Sequence, residues 1–341
     1  MKLTQAHRDI IRYTSHNAAC SMQDISDQLG YKLHVVRRCL DQLLEHKVIT
    51  RSILCNFYKL GYTPHNIHFS LAAREPRKKA AILDLIMRHP QVSWLAGITG
   101  ELSYELTFLA RTLRELTTFI DQLCDECGSV FEKKKLGTEL CHNYFGPKFI
   151  STTPISIPLV KLEESTERVE LDHIDSTLMY YLCFQGEVPL AGMAKKLGLP
   201  LSTLTYRKAR LQELGVLLAD VHFIDRDRFV PASFNLMLSV AHGDRVFRED
   251  LMNFCSTEPN FFCCHRCVGD WDYKIGIQAE ELSRSSAALE KLKDRYGKSI
   301  ASLEVVTVTR HYKNAFFPFY RELQQVMRIP SLEQKARASG M

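Results

Sequence analysis

Apolar residues recur at three- and four-residue intervals through the first fifty positions. Ile10 and Ile11 fall in a first helical segment, and Ser21 or Asp24 starts a second whose face is Ile25 and Leu29. Gly30 follows, the residue that supplies the positive φ of a tight turn. A third helix carries Val36, Leu40 and Leu43 at i, i+4, i+7. The same plan returns with Leu178 and Leu182, then Met193, Leu197 and Gly198, then Leu204 and Leu211, with Gly215 predicted at the left-handed position that ends a helix. Short β-branched and aromatic runs around a polar turn come next, VITRSILCNFYKLGY (48–62) and VLLADVHFIDRDRFV (216–230), and predict a wing after each helical set. Beyond each wing the periods give strand, helix, strand, strand, helix, strand.

The chain therefore repeats itself. With Leu171 placed on Leu3, an offset of 168, residues 3–49 lie on 171–217 without a gap. Tyr13/Tyr181, Leu29/Leu197, Gly30/Gly198, Leu43/Leu211, Glu45/Glu213 and Val48/Val216 coincide. Further on, ITGELSYEL (98–106) resembles VGDWDYKIG (268–276), with Gly100 on Gly269 and Tyr104 on Tyr273. The predicted organisation is a winged helix-turn-helix at 1–62, a ferredoxin-like domain at 63–150, a linker with a solvated middle at 151–170, a second winged helix-turn-helix at 171–230, a second ferredoxin-like domain at 231–322 and a polar tail at 323–341. The fold class is α+β. A βαββαβ sheet has helices on one face only, so its other face needs cover, and pairing of two such domains is expected. The partner sheet is either the other copy or a second chain, and a homo-oligomer is expected.

Two short helices joined by a glycine turn, the second with cations on its free face, describe a DNA-reading module. The third helix offers Lys32, His34, Val35, Arg37 and Arg38 in the first copy. In the second it offers Ser202, Thr203, Thr205, Tyr206 and Arg207, with Lys208 and Arg210 beyond. Arginine and lysine hold guanine edges or phosphates, and serine and threonine suit either bases or phosphates. Charged residues on a helix are most often a solvated face, and only the turn, the wing and the repetition together favour DNA. Composition permits such a partner. The 341 residues are 45% apolar and 24% charged with net charge +5, an ordinary globular balance that excludes a disordered or collagen-like chain. No apolar run approaches membrane length, and MKLTQAHRDIIRY has no secretory signal's apolar stretch. The eleven cysteines then read as reduced thiols of a cytoplasmic protein.

The copies resemble the Lrp/AsnC family of bacterial regulators. Copy 2 carries the motifs closely: Leu171, Asp172 and Asp175 at the start, then LGLPLSTLTYRKARLQELGVL with Ser202, Leu204, Arg207, Leu211, Gly215 and Val216 in place. ITGELSY and VGDWDY match the turn between the family's middle strands. Copy 1 departs from the pattern: Cys39 stands for arginine, Lys47 for glycine and Ser103 for the turn aspartate, and LTQAHRD lacks the acidic pair. The resemblance implies back domains that dimerise and bind small molecules, often amino acids, and so modulate binding to double-stranded DNA. Turns containing Thr99, Gly100 and Glu101 and Gly269, Asp270 and Asp272 would supply backbone N–H groups to such an effector. Equally, the glycines merely make hairpin turns.

Three rivals stand beside this reading. CDEC (124–127) and FCCHRC (262–267) invite zinc, but Cys263, His265 and Cys267 on one strand face spread over about 13 Å, and no metal is expected. The sirohaem decarboxylases share the two-part architecture and would need a tetrapyrrole pocket, to which His142, His265, Arg266 and His311 are the possible contributors. No nucleophile triad or phosphate loop is present in a fitting context, so no enzymatic role and no cofactor are expected. The third rival is an oligomerising scaffold that no longer binds DNA.

Overall fold

The structure, a computed structural model, describes residues 1–314 apart from 156, 158, 164, 166, 185–187, 226–228 and 231. The expected tail at 323–341 and the end of the second ferredoxin-like domain lie outside the described residues. In chain order the first unit comprises α1 (Gln5–Thr14), α2 (Met22–Leu29), α3 (Leu33–Glu45), β1 (Ile49–Cys55), β2 (Thr63–Leu71), α4 (Pro76–Arg88), β3 (Val92–Ile98), β4 (Tyr104–Ala110), α5 (Leu113–Cys127) and β5 (Phe131–Tyr144). A short strand β6 (Val160–Glu163) precedes the second unit: α6 (His173–Phe184), α7 (Leu190–Leu197), α8 (Leu201–Glu213), β7 (Leu217–Ile224), β8 (Ala232–Val240), α9 (Arg245–Thr257), β9 (Phe261–Gly269), β10 (Tyr273–Ala279), α10 (Leu282–Tyr296) and β11 (Ile300–Asn314). Two tandem units, each a helix-turn-helix with a wing strand followed by a ferredoxin-like βαββαβ, make an α+β chain.

The front helices form where the apolar periods placed them. Ile10, Ile11, Ile25, Val36, Leu40 and Leu43 make one core, and Leu178, Met193, Leu204 and Leu211 make the other. Ser21 starts α2 through a capping box with Asp24, and Gly30 closes it at φ 70°. Gly215 ends the α8 turn at φ 68°, whereas its equivalent Lys47 takes φ 51° with a side chain attached. A left-handed conformation costs a non-glycine residue about 1 kcal/mol, so Lys47→Gly is expected to stabilise the chain by about that amount, read as a higher denaturation midpoint. An unchanged midpoint would show that Lys47 carries no strain.

The wings differ from the sequence expectation. Among the described residues each front contributes a single strand, and β1 pairs antiparallel with β7 from Ile49↔Ile224 to Cys55↔Leu217. The segment expected as a solvated linker contains β6, paired with β5 from Cys141 to Tyr144, and its alternation buries Val160 and Leu162.

The two ferredoxin-like sheets cover each other by closing into one barrel. Neighbour follows neighbour in the order β2-β4-β3-β11-β8-β10-β9-β5, and β5 pairs back onto β2. Two long strands make the closure. β5 pairs with β2 of its own unit over Phe131–Thr138 and with β9 of the other over Gly137–Tyr144. β11 likewise pairs with β8 and then with β3. Alternate residues point to opposite faces of a strand. Ile67, Phe69, Leu106 and Phe108 point outward under α4 and α5, and Leu236, Leu238, Ile275 and Ile277 outward under α9 and α10. Ile98, Met237, Cys267, Trp271 and Val306, drawn from both units, plug one end of the interior. Beyond that plug the interior carries many polar side chains, among them Asn66, His68, Glu105, Asn235 and Lys274.

Candidate functional site: recognition helices and a barrel-mouth chamber

On α3 and its cap, Lys32, His34, Arg37 and Arg38 are exposed and Val35 is half-buried. On α8, Ser202, Thr205 and Tyr206 are exposed, while Thr203, Arg207, Lys208 and Arg210 are half-buried. The cations of α8 are already engaged. Arg207 donates to Asp172 and Asp175, Arg210 bonds Asp175 at 3.1 Å, and Lys208 bonds Asp220 at 3.1 Å. Asp172 and Asp175 in turn hold Arg207 above its ordinary range. This cluster links two of the departures of copy 1, Cys39 and the missing acidic pair. At the offset of 168, Thr4, His7, Cys39 and Gln42 stand where Asp172, Asp175, Arg207 and Arg210 stand. His7 Nδ1 lies 2.7 Å from the Thr4 hydroxyl, and its Nε2 lies 3.1 Å from Gln42 Oε1. Copy 1 has exchanged a charged brace for a neutral one.

The turns offered as effector sites are tied to strands. Gly269 has φ 138°, and a Cβ there would meet the Leu136 carbonyl oxygen at 2.2 Å. The N–H of Asp270 donates to Leu136 O, its carboxylate accepts from Leu136 N–H at 2.6 Å, and the Asp272 carboxylate accepts from Val240 N–H at 2.8 Å. Thr99 N–H donates to Thr307 O, Gly100 packs beside Glu304, and Glu101 pairs with Lys133 and Lys135. These turns clasp the two halves of the barrel, and the donors of Thr99, Asp270 and Asp272 are spent on strands.

A chamber of about 150 Å³ lies instead between the front sheet and the barrel mouth. Leu54, Cys55 and Phe57 of the first wing and Phe223 of the second form its roof, and Trp94, Leu109, Tyr144, Leu162 and Phe262 its apolar wall. Its floor is the polar interior of the barrel. Glu105, fully buried on β4, receives a hydrogen bond from Lys274 on β10 and lies 3.4 Å from His68 Nε2. Burial alone would raise the Glu105 carboxyl, but Lys274 and His68 pull it down to about 2. Beside it, Glu139 on β5 accepts from Asn66 Nδ2 at 2.7 Å, and Asn66 Oδ1 accepts from Thr107 at 2.7 Å. His265 Nδ1 and His142 Nδ1 lie 2.7 and 3.6 Å from the Glu139 carboxylate, with their rings 3.9 Å apart. Burial drives His265 down to about 4, so it is neutral at pH 7. Of the tetrapyrrole candidates, His142 and His265 line the chamber. Arg266 is exposed, and His311 packs edge-on against Trp94.

Sequence reasoning missed Glu139, Glu105 and Lys274. The first lies beyond the stretch read as the last strand of the first unit. The others sit as single charges between apolar neighbours, YELTFLA and YKIGIQA, an alternation that reads as a solvent-facing side. The signal lay in the duplication: Glu105 and Lys274 are 169 residues apart and occupy equivalent places.

No family model matches the chain. The HTH-type transcriptional regulator Zrp of Zymomonas mobilis is 27% identical over 108 residues, covering 31% of this chain and 71% of that protein. An uncharacterized HTH-type transcriptional regulator of Pyrococcus horikoshii is 26% identical over 121 residues, covering 35% and 75%. Both are regulators, the class to which the Lrp/AsnC resemblance points. A crystal structure of the sirohaem decarboxylase NirDL with an iron-uroporphyrin III analogue matches at TM-score 0.60 and 12% identity over 94% of this chain and 99% of that one. The fold of almost the whole chain, fronts and barrel together, is therefore one that an enzyme also uses. The expectation of no enzymatic role is corrected on that ground: it rested on missing triads and phosphate loops, and a chemistry run from a buried His/Glu/Lys floor needs neither. Among the described residues, no helix is long and apolar enough to cross a membrane.

Proposed function

We propose that the chain is a ligand-responsive DNA-binding regulator in which a gene and its duplicate supply both halves of one dimer-like unit. The exposed cations of α3 meet DNA, and the chamber takes a small effector, of amino-acid size at its present volume. One observation carries this reading: the chamber's roof is the same β1–β7 sheet that carries the recognition helices. An occupant that touches Leu54, Phe57 and Phe223 on one side and the barrel floor on the other changes how the fronts sit on the barrel. A ligand shifts an equilibrium only by contacting two states differently, and this position provides that contact. The relatives' regulatory role and the Lrp/AsnC motifs of copy 2 support the reading. Association of whole chains into larger oligomers belongs to the same proposal.

The test is footprinting of genomic fragments with the full chain, with and without each of the twenty amino acids, alongside sedimentation of the same preparation. Protected sites whose affinity changes with one ligand are expected. No protection even at low salt would overturn the reading.

The likeness to NirDL and the ionisable floor favour a second reading, a decarboxylase for a carboxylated tetrapyrrole. A macrocycle is far larger than a 150 Å³ space, so this reading requires the roof to lift. Incubation with sirohaem tests it: turnover appears as loss of carbon dioxide in the product mass, and an unchanged mass and absorbance spectrum would remove it.

A further inference from the structure

Glu139, His142 and His265 each bring one donor atom to within 4.8 Å of the others. Adjacent strands hold them there. His142 and His265 are register partners on β5 and β9, and Glu139, three residues before His142 and opposite Cys267, reaches the same face through a register shift between Glu139 and Cys141. Backbone hydrogen bonds therefore fix the spacing, and side-chain rotation has little left to do. Donors around a common ion at about 2.0–2.1 Å lie roughly 3–4 Å apart, so donors spread over as much as 4.8 Å would close by about an ångström on binding one.

The surroundings favour a cation. The buried Glu105 carboxylate is balanced by Lys274. Among the described residues, the ion pairs of Glu139 involve only the two imidazoles, and Lys274, the nearby ammonium whose charge also acts on Glu139 and His265, spends its hydrogen bond on Glu105. His265 Nδ1 is buried and, although 2.7 Å from Glu139 Oε1, is not aligned for a hydrogen bond. Supporting bonds that would orient the carboxylate are in place: Asn66 Nδ2 donates to Glu139 Oε1 at 2.7 Å, and the Tyr58 hydroxyl donates to the Glu139 carbonyl at 3.2 Å.

We propose that Glu139, His142 and His265 hold a divalent transition-metal ion at the chamber floor, with its remaining coordination positions open to the chamber. Two imidazoles and one carboxylate suit zinc, cobalt or iron(II), and not calcium or magnesium, which take oxygen donors. The open positions would receive a carboxylate or amine of whatever enters. The site is independent of DNA binding and stands or falls apart from the regulatory reading.

The experiment uses the full chain, stripped with a chelator, dialysed and titrated with Co²⁺. A visible ligand-field absorption saturating at one equivalent and displaced by Zn²⁺ is expected. His142→Ala and His265→Ala are each expected to weaken Co²⁺ binding by about 100-fold or more, beyond the loss typical of supporting residues. His142 is half-buried, so its variant is the arm least exposed to misfolding, and circular dichroism confirms that each variant is folded. A Cys124→Ser/Cys127→Ser variant is expected to bind normally, because that pair lies on α5 outside the barrel. Absence of saturable binding in the stripped chain would overturn the proposal, and so would undiminished binding in a folded His142→Ala variant.

Discussion

Lys274→Met is expected to destabilise the chain by about 3–5 kcal/mol, because it strands the Glu105 carboxylate inside the barrel without its cation. For a protein of this size that is a fall in melting temperature on the order of 10 °C. The double variant Glu105→Gln/Lys274→Met removes both charges and is expected to recover most of the loss, since a buried pair and a neutral replacement are often close in energy. Equal midpoints for the single and double variants would show that the charges do not interact. The same pair sets an acid limit. Glu105 ionises at about 2 when folded against 4.5 as a free side chain. A carboxyl held low stabilises fully above its unfolded value, and that contribution drains away as pH falls from about 4.5 towards 2. Lys274→Met should flatten the pH dependence of stability in that window. A wild-type slope retained in the variant would place the acid sensitivity elsewhere.

Arg37→Ala/Arg38→Ala is expected to lower DNA affinity about 60-fold in ~0.1 M salt and to reduce the slope of log affinity against log salt by about 2, the signature of two phosphates no longer neutralised. Both side chains are exposed on α3. Arg207→Ala is expected to leave that slope unchanged, because Arg207 is committed to Asp172 and Asp175, and to act instead on the stability of the second front. Fluorescence anisotropy over a salt series separates the two. A loss of slope from Arg207→Ala equal to that of the α3 variant would mean the ion pairs open on DNA.

The helical fronts were legible because their periods answer to local rules: Ile25, Leu29 and Gly30 form a face and a stop whatever lies nearby. The βαββαβ order was legible for the same reason, and so was the need to cover each sheet. Three features were not, and each depends on contacts remote in sequence. The pairing of Ile49 with Ile224 joins segments whose own hairpin-like runs pointed to separate wings. The strand at Val160–Glu163 is too short to stand out from the prolines and hydroxyls around it. The interior charges follow the alternation of a half-exposed sheet, and only closure of the barrel turns that wet side into an enclosed one. The chamber inherits this difficulty, since His142 and His265 were visible as residues while Glu139, the group that joins them, lay outside any motif.

The antiparallel pairing of β1 with β7 yokes the two fronts into a single lever. Their relative phase is set by main-chain geometry along a seven-pair ladder, which point substitutions on α3 or α8 do not reach. Such substitutions change what each hand grasps and leave the span between the hands alone. If both fronts meet DNA as proposed, divergence of the two surfaces would let them recognise unlike half-sites at one fixed separation.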